Sequence, residues 1–301
     1  MNGVINIIRK SAKDTQGGLV RGSVGTEDRW SVGARYGGQV KTNLFYRFYG
    51  NGFEKDDLAG GDLGDGWRHN QGGYRLDWEP AGGNLVTFQG DYYQGDAEET
   101  VRVLTEPLPS TFAVATRNNA VEYSGGNLLG RWTHDFQNGS QSRLQLYYDH
   151  LERSDEVWAG GVIQNTFDVD FDHRFEWGER QEIVWGVGDR VYKDNKEPTL
   201  ASMFTPQRRT LNFFTGFVQD EIRLVPDRLS LFAGTKVEHN NYTKWELQPS
   251  GRLVWSVTER QTVWAAVTRA VRTPTRVDHD LRSIVAPVGL ANFPLTGTEV
   301  F

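Results

Sequence analysis

The 301-residue chain contains no cysteine and only two methionines. Without cysteine it has neither a disulfide framework nor a thiolate that could act as a metal ligand or nucleophile. No run approaches the roughly 18 to 20 consecutive apolar residues that a spanning helix needs, which excludes a helical membrane protein. Basic residues are scattered and the net charge is −6, which argues against nucleic acid as a partner.

A conventional signal peptide is also missing. The apolar run from Val4 to Ile8 is shorter than the roughly 7 to 15 residues of a signal-peptide core, and no small-residue cleavage site follows it. We therefore expect either that the mature protein starts here or that the true N-terminus lies upstream.

Glycine and aromatic residues, in contrast, are abundant. The chain has 34 glycines, and aromatic residues make up 12% of it, a composition that favours many strands joined by glycine-bearing turns. The mean hydropathy of −0.56 is usual for a soluble protein. A membrane barrel whose residues alternate between lipid and a wet lumen has the same average, however.

Period-two alternation is the main secondary-structure signal. In residues 143–149, Leu144, Leu146 and Tyr148 share one face, and polar side chains share the other. The same alternation occurs in residues 85–93, 231–238 and 262–268. Alternation alone does not distinguish a membrane barrel from a soluble sandwich.

The lengths of the connections discriminate better between these folds. Short, turn-like segments are predicted at 37–39, 80–84, 137–140, 177–180, 225–228 and 257–260. They alternate with mostly longer segments at 51–71, 94–124, 153–165, 193–211, 239–245 and from 271 to the end. Short turns at one end and long loops at the other are typical of an outer-membrane barrel.

Tryptophans add a weaker signal for the same fold. Several lie at predicted segment ends, where the interfacial girdles of a barrel would be, namely Trp30, Trp78, Trp132, Trp177, Trp185 and Trp255.

About thirteen strands fit between Gly18 and Arg269. Because bacterial single-chain barrels have even strand numbers and no open edge, the sequence predicts an incomplete barrel.

Several segments resemble one family. Residues 2–10, Asn-Gly-Val-Ile-Asn-Ile-Ile-Arg-Lys, are similar to the last plug strand of TonB-dependent outer-membrane receptors, where an N-G-V-I-N-I-x-T/R-K motif precedes the barrel. Residues 73–78, 217–221 and 246–253 resemble barrel strands of that family. Residues 261–275 resemble a strand that runs into the R-x-P-[ST] loop of the same family.

The resemblance implies an all-β fold, an antiparallel transmembrane β-barrel of about 22 strands. About thirteen of these would be present here, with a remnant of the N-terminal plug. Residues 1–16 would be the C-terminal end of the plug domain and residues 17–301 a partial barrel. The TonB box, most of the plug and the last strands are expected outside this sequence.

The implied function is active, TonB-energised uptake of a scarce nutrient, most often a ferric siderophore, across the Gram-negative outer membrane. The implied partners are TonB, an iron–siderophore or similar small ligand, outer-membrane lipid and lipopolysaccharide, and the receptor would be a monomer. No cofactor and no catalytic residue is expected. A passive porin-type channel is the alternative function.

A barrel enzyme is a third possibility, suggested by Asp278-His279-Asp280. Adjacent residues of an extended chain point to opposite sides, so this tripeptide is not expected to form a ready-made dyad.

Candidate ligand-binding residues are cations and aromatics of the outer loops. Ferric siderophores are commonly anionic and flat-faced, so guanidinium and indole groups suit them. The candidates are Trp67, His69, Arg208, Arg209, Tyr242, Trp245 and Arg272.

No metal site is predicted from the histidines, which lack the i,i+2 or i,i+4 pairing of a local site. Asp57, Asp62 and Asp65 form a weak calcium candidate in an acidic loop, with a solvated loop as the alternative.

Overall fold

A computed structural model describes residues 9–57, 64–104, 114–155, 160–199 and 202–283. Apart from a 3-10 turn at Lys13–Thr15 and the short helix α1 (Arg276–Asp280), the regular structure of these residues is β. No helix in these ranges is long and apolar enough to cross a bilayer. The strands are β1 (Gly17–Val24), β2 (Trp30–Lys41), β3 (Leu44–Lys55), β4 (Trp67–Trp78), β5 (Asn84–Leu104), β6 (Val114–Asp135), β7 (Gln141–Asp155), β8 (Gly160–Trp177), β9 (Gln181–Lys196), β10 (Ser202–Phe204), β11 (Arg208–Val225), β12 (Leu229–Asn240), β13 (Lys244–Thr258), β14 (Gln261–Thr268) and β15 (Leu281–Ser283).

One antiparallel sheet contains 13 of these strands, in the order β1 to β9 followed by β11 to β14. The count and the limits agree with the prediction of about thirteen strands between Gly18 and Arg269. The short strands β10 and β15 form a separate pair. Within the described residues β1 pairs only with β2, and β14 only with β13, so the sheet is not closed.

The predicted alternation is confirmed by the pairing register. Leu144, Leu146 and Tyr148 pair with Phe171, Val169 and Phe167, which puts apolar side chains side by side on one face of the sheet. We call this the outer face. We call the opposite face, which carries Arg47, Asp77 and Asp91, the inner face.

Burial in this sheet is inverted relative to a soluble protein. On the outer face, Tyr36 and Phe48 are 58% and 54% exposed. On the inner face, Arg47 and Asp77 are only 7% and 2% exposed. Large exposed apolar surface opposite buried charge is the pattern of a sheet that faces lipid on one side and a polar lumen on the other.

The six tryptophans of the predicted girdles lie near strand ends, as expected. Trp30 begins β2, whereas Trp78 and Trp177 are the last residues of β4 and β8. Trp132, Trp185 and Trp255 lie within a few residues of the strand ends that meet the short turns. The register places all six on the outer face.

At one side of the sheet every connection is short, namely 42–43, 79–83, 136–140, 178–180, 226–228 and 259–260. We call their side of the sheet the turn end, and the opposite side the loop end. Five of the six predicted turns agree, but the turn predicted at 37–39 is wrong because β2 continues to Lys41 and the chain reverses at 42–43.

Glycine misled the prediction of that turn. A Cβ at Gly37 would lie 2.2 Å from the carbonyl oxygen of Thr15, and one at Gly38 would lie 2.3 Å from the Tyr46 hydroxyl. These glycines allow close approach of neighbouring groups in mid-strand, which is the other common use of glycine in a strand.

At the loop end the strands extend further than predicted. The strands β5 and β6 take up residues 94–104 and 114–124 of the predicted loop 94–124. Likewise, only residues 241–243 separate β12 from β13, where a loop at 239–245 was predicted. Polar side chains in these strand extensions concealed them from a reading based on apolar alternation.

The segment 9–16 lies against the inner face at the turn end. The backbone nitrogen of Ala12 donates to the Asp77 Oδ2 at 2.6 Å, and Arg47 Nη1 donates to the Lys10 carbonyl oxygen at 2.9 Å. Arg9 pairs with Asp91 at 3.2 Å. Residues 2–8 of the segment that resembles the last plug strand lie outside the described residues.

Candidate ligand-binding surface at the loop end

Five aromatic rings gather on the inner face at the loop end of β3 to β6. His69 is at the centre, with its ring centroid 5.5 Å from Phe53, 6.1 Å from Tyr93 and 5.9 Å from Tyr123. Trp67 packs edge-on against Phe53 at 4.6 Å. The antiparallel register brings these residues together because Phe53 pairs with His69, His69 with Gly95, and Gly95 with Tyr123. We call these five residues the aromatic cluster.

The polar edges of this cluster are partly engaged. His69 Nδ1 and the Tyr123 hydroxyl are 3.1 Å apart, so one donates a hydrogen bond to the other. Trp67 is 39% exposed, and the Lys55 ammonium lies 5.9 Å from its ring centroid. The same ammonium pairs with Asp28 at 2.9 Å. A half-buried set of rings with a hydroxyl and an imidazole can stack on a flat ligand and hydrogen-bond its rim.

A second inner-face group at the loop end is built from charges. Arg276 of α1 is 4% exposed and donates from Nη1 to Asp194 and from Nε to the Asp280 Oδ2 at 2.9 Å. Asp280 also accepts from Arg209 and, at 3.3 Å, from the Tyr242 hydroxyl. We call Asp194, Arg209, Tyr242, Arg276 and Asp280 the ionic cluster. It attaches the segment after β14 to β9 and β11.

The carboxylates of α1 are stabilised as anions. Burial raises the pKa of Asp280, but hydrogen bonds from Arg276 and Arg209 outweigh this and bring the pKa below its ordinary value. The Thr275 backbone hydrogen bond and then the Arg272 guanidinium lower the pKa of Asp278 to about 2. Burial and the neighbouring Asp280 raise the pKa of Tyr242. Asp278 and Asp280 are therefore negatively charged, and Tyr242 is neutral, across the neutral pH range.

The ligand candidates are thus divided among different environments. Trp67 and His69 belong to the aromatic cluster, and Arg209 and Tyr242 belong to the ionic cluster. Arg272 is exposed and pairs with Asp278 at 2.8 Å. Arg209 and Arg272 already pair with carboxylates, so they have fewer free hydrogen-bond donors for an anionic ligand.

Arg208 and Trp245 lie on the outer face. Arg208 donates to Asn195 at 3.3 Å, and both positions are on the lipid-facing side of the register. Trp245 is 64% exposed and packs on His239 at 4.8 Å and on Phe214 at 6.3 Å. This is the environment of an interfacial aromatic residue rather than of a lumen pocket.

Asp57 of the calcium candidate makes a local turn. Its Oδ1 accepts from the backbone nitrogens of Asp65 and Gly66, both at 2.9 Å. Asp62 lies outside the described residues. Across the ranges that the structure describes, no group of three His, Cys, Asp or Glu side chains is arranged to hold a metal ion.

The Asp278-His279-Asp280 tripeptide is helical, so the premise of an extended chain was wrong. Asp278 completes a capping box with Thr275, and Asp280 is bound by two arginines. His279 Nδ1 is 3.6 Å from the Asp280 Oδ1. Both carboxylates therefore have structural roles in α1.

Sequence reasoning missed Phe53, Tyr93, Tyr123, Asp194 and Arg276. The three aromatic residues fall in or next to segments that were read as loops, and only the strand register brings them to His69. Asp194 and Arg276 are 82 positions apart in the sequence. A cap signal was available at Thr275-x-x-Asp278, which is the S/T-x-x-D/E pattern that begins a helix.

Comparison with known proteins agrees with this architecture. The model of the TonB-dependent receptor-like β-barrel family matches residues 9–286. The chain belongs to this TonB-dependent receptor family. No curated protein sequence matches it.

Among solved structures, the fold is similar to that of other TonB-dependent receptors. The siderophore receptor PirA from Pseudomonas aeruginosa is 17% identical with a TM-score of 0.65, over 89% of this chain and 45% of that one. A variant of the ferric enterobactin receptor PfeA from Pseudomonas aeruginosa is 17% identical with a TM-score of 0.69, over 90% and 46%. The copper transporter OprC is 15% identical with a TM-score of 0.65, over 86% and 46%. The chain therefore spans less than half the length of each.

Proposed function

We propose that this chain is part of an outer-membrane receptor that takes up a ferric siderophore with energy supplied through TonB. The match of the TonB-dependent receptor family to residues 9–286 carries this proposal. Siderophore receptors among the similar structures favour an iron chelate as the cargo. The partners would be TonB, the iron–siderophore, and the lipid and lipopolysaccharide of the Gram-negative outer membrane. The receptor would act as a monomer and would catalyse no reaction.

We assign residues 1–16 to the end of the plug domain and residues 17–301 to the barrel. The docking of Ala12 and Lys13 on the inner face supports this boundary, because a plug must attach to the wall that encloses it. The first strand of the sheet begins at Gly17, immediately after this attachment.

The aromatic cluster is the proposed ligand surface of the barrel wall. Its rings are half-buried on the inner face at the loop end. The Lys55 ammonium next to Trp67 pairs with Asp28 at 2.9 Å, so its charge is already balanced. Planar aromatic chelating groups of a siderophore would stack on His69 and Tyr123. Arg209, Tyr242 and Arg272 are assigned a supporting role, since carboxylates already engage them.

Uptake measurements test this function in the bacterium that produces the protein. We expect deletion of the gene to abolish uptake of ferric enterobactin, used as the probe, under iron limitation. Collapse of the proton gradient should abolish it equally. Uptake that persists without the gradient would instead identify a passive channel, and gradient-dependent uptake of cupric ion alone would identify a different cargo.

Substitution of His69 tests the ligand surface separately. We expect His69→Ala to raise the KM for ferric enterobactin about fivefold to tenfold, the value of roughly 1 to 1.4 kcal/mol for a lost ring contact. Arg68→Gln is the matched control, because Arg68 precedes His69 in β4 but pairs with Asp96 on the outer face at 2.9 Å. Equal effects of the two substitutions would contradict the assignment of the aromatic cluster.

A further inference from the structure

Two cations lie close together on the outer face, at the loop end of β9 and β11. Lys193 and Arg208 are both exposed there. The register pairs Lys193 with Thr210 and Arg208 with Asn195, so the two cations are diagonal neighbours on adjacent strands. The Cβ atoms of such neighbours are about 7 Å apart. The two long side chains can therefore reach the same anion.

Neither cation is balanced by a carboxylate in the described parts of the chain. Lys193 and Arg208 form no ion pair there. Arg208 donates from Nε to the neutral Asn195 Oδ1 at 3.3 Å, which uses one N–H of its fork. In contrast to Arg209 on the inner face, Arg208 therefore keeps donors for an external anion.

Two acids share the outer face of β9 and its continuation. Asp189 precedes Lys193 by four positions, about 13 Å along the strand. Glu197 leans over Gly161 of β8, because a Cβ at Gly161 would lie 2.8 Å from its Oε2. The strand β8 flanks β9 on the side away from β11. The surface between Lys193 and Arg208 therefore stays positively charged.

This positive surface lies at the edge of the apolar band of the outer face. Trp185 lies near the turn end of β9, and Lys193 follows it by eight positions. That is about 26 Å along the strand, or about 20 Å along the membrane normal at a tilt of about 40°, close to the height of the apolar band of a barrel. The exposed Phe214 on β11 belongs to the same band. Because the longer loops of outer-membrane barrels face outside, the two cations are at the level of the outer-leaflet headgroups.

The loop end of β4 to β7 is acidic on the same face. Arg68 is already paired with Asp96 at 2.9 Å. Asp96 pairs in register with Glu122, and Glu152 lies on the next strand. These side chains line a polar groove of about 830 Å³. An anion is repelled there, so the positive surface of β9 and β11 is a local feature of the outer face.

We propose that Lys193 and Arg208 bind the phosphate of an outer-leaflet lipid whose acyl chains lie on the apolar band below. The guanidinium fork matches two phosphate oxygens, and the ammonium adds a point charge. The Thr210 hydroxyl, opposite Lys193, supplies a neutral hydrogen-bond donor on the same face. This site rests on the proposed outer-membrane location and is independent of the cargo.

Native mass spectrometry of the receptor purified in detergent tests the site, with bisphosphorylated lipid A as the probe. We expect Arg208→Gln to weaken binding of lipid A about tenfold, as for a lost charge-assisted hydrogen bond, and Arg208→Lys to weaken it less. The double substitution with Lys193→Gln should weaken binding about thirtyfold to a hundredfold. Arg68→Gln is the matched control and should leave binding unchanged, because Asp96 already balances that cation. The wild-type mobility shift on heating in SDS gels shows that each variant is folded.

Two further probes define the ligand. Lipid A without phosphate groups should bind as weakly to the wild type as bisphosphorylated lipid A binds to the double variant, and equal binding of both lipids to the wild type would overturn the phosphate assignment. Displacement of lipid A by an equal concentration of inorganic phosphate would identify a site for the free ion and overturn the lipid assignment. Unchanged binding in Arg208→Gln, or an equal loss in Arg68→Gln, would overturn the site itself.

Uptake of ferric enterobactin separates this site from the proposed function. We expect Arg208→Gln to take up the chelate as the wild type does while it loses lipid A. Absence of uptake in the wild type would contradict the proposed cargo and leave the lipid measurement valid. A loss of uptake in Arg208→Gln with unchanged lipid binding would place Arg208 in cargo capture and overturn the lipid site.

Discussion

Two segments flank the sheet in sequence, and both are attached to its inner face, but at opposite ends and by different chemistry. At the turn end, Asp77 of β4 accepts from the Ala12 backbone, from Arg75 and from Thr87. At the loop end, Arg276 of the incoming segment lies between Asp194 of the wall and Asp280 of its own helix. The most buried contact of the first attachment is a neutral backbone donor on Asp77, with the more exposed ion pairs Arg9–Asp91 and Lys13–Glu79 beside it. The second attachment relies on opposite charges that are themselves buried.

This difference indicates that the attachment at the loop end depends more strongly on a single side chain, that of Arg276. If the Ala12 backbone detaches from Asp77, that carboxylate still accepts hydrogen bonds from Arg75 and Thr87. Removal of Arg276 leaves Asp194 without its closest cation, with Lys196 at 3.9 Å as the remaining one. Removing one partner of a buried ion pair costs more free energy of folding than replacing both charges with apolar groups, because it leaves a buried charge without a partner.

Arg276→Met should give the largest effect. We expect about 3 to 5 kcal/mol of local destabilisation, because Asp194 and Asp280 are then buried without their shared partner. Hydrogen exchange should show loss of protection in β10 and β15, which this segment holds together. Arg272→Gln is the control, since the Arg272 side chain is 69% exposed and should matter little. Unchanged protection in β15 would show that the ionic cluster does not hold the segment.

Asp77→Ala should have the next largest effect, at the turn end. Three hydrogen-bond donors lose one acceptor, which costs about 1 to 3 kcal/mol. Residues 9–16 should detach, and trypsin should cleave after Lys10 and Lys13 about tenfold to a hundredfold faster. Asp77→Asn should be intermediate. If cleavage stays as slow as in the wild type, contacts other than Asp77 fix the segment.

Acid should loosen the loop end by a smaller amount. The pKa of Asp278 is about 2 in the folded chain, below the ordinary 3.8, so its contribution is complete above pH 3.8 and is lost as the pH falls towards 2. The lowered pKa of Asp280 acts in the same direction. Hydrogen exchange of 275–283, corrected for intrinsic pH dependence, should be constant from pH 7 to pH 5 and should rise at lower pH. Asp278→Asn should reduce this rise, and a response centred near neutral pH would contradict the assignment.

Glu79→Gln should give the smallest effect. Lys13 and Glu79 are 2.8 Å apart at the turn end, but their side chains are 52% and 39% exposed. Exposed pairs contribute about 0 to 1 kcal/mol and less at high salt. Trypsin cleavage after Lys10 should therefore change by less than about fivefold. If Glu79→Gln accelerated trypsin cleavage as much as Asp77→Ala, the exposed ion pair would hold the segment as strongly as the buried contact, which would contradict this prediction.

The faces of the strands could be predicted from residues such as Leu144, Leu146 and Tyr148, because a strand alternates its side chains with an unvarying period of two. The turns could be predicted wherever glycine or proline coincided with a break in alternation, as at Pro80 and Gly139. The failure at Gly37 has a physical cause. Glycine also serves where another backbone comes close, and the approach of Thr15 is a tertiary event.

The sequence alone determined the strand-rich fold, the number of strands in the sheet and the apolar outer face, since all three follow from local periodicity and composition. Only the tertiary structure decided which loop-end side chains face the lumen. It placed Trp67 and His69 on the inner wall but Trp245 on the outer face, and it placed Arg209 against Asp280. Contacts between residues tens of positions apart depend on strand register and on the path of the chain after β14, and neither is encoded in any short stretch of sequence.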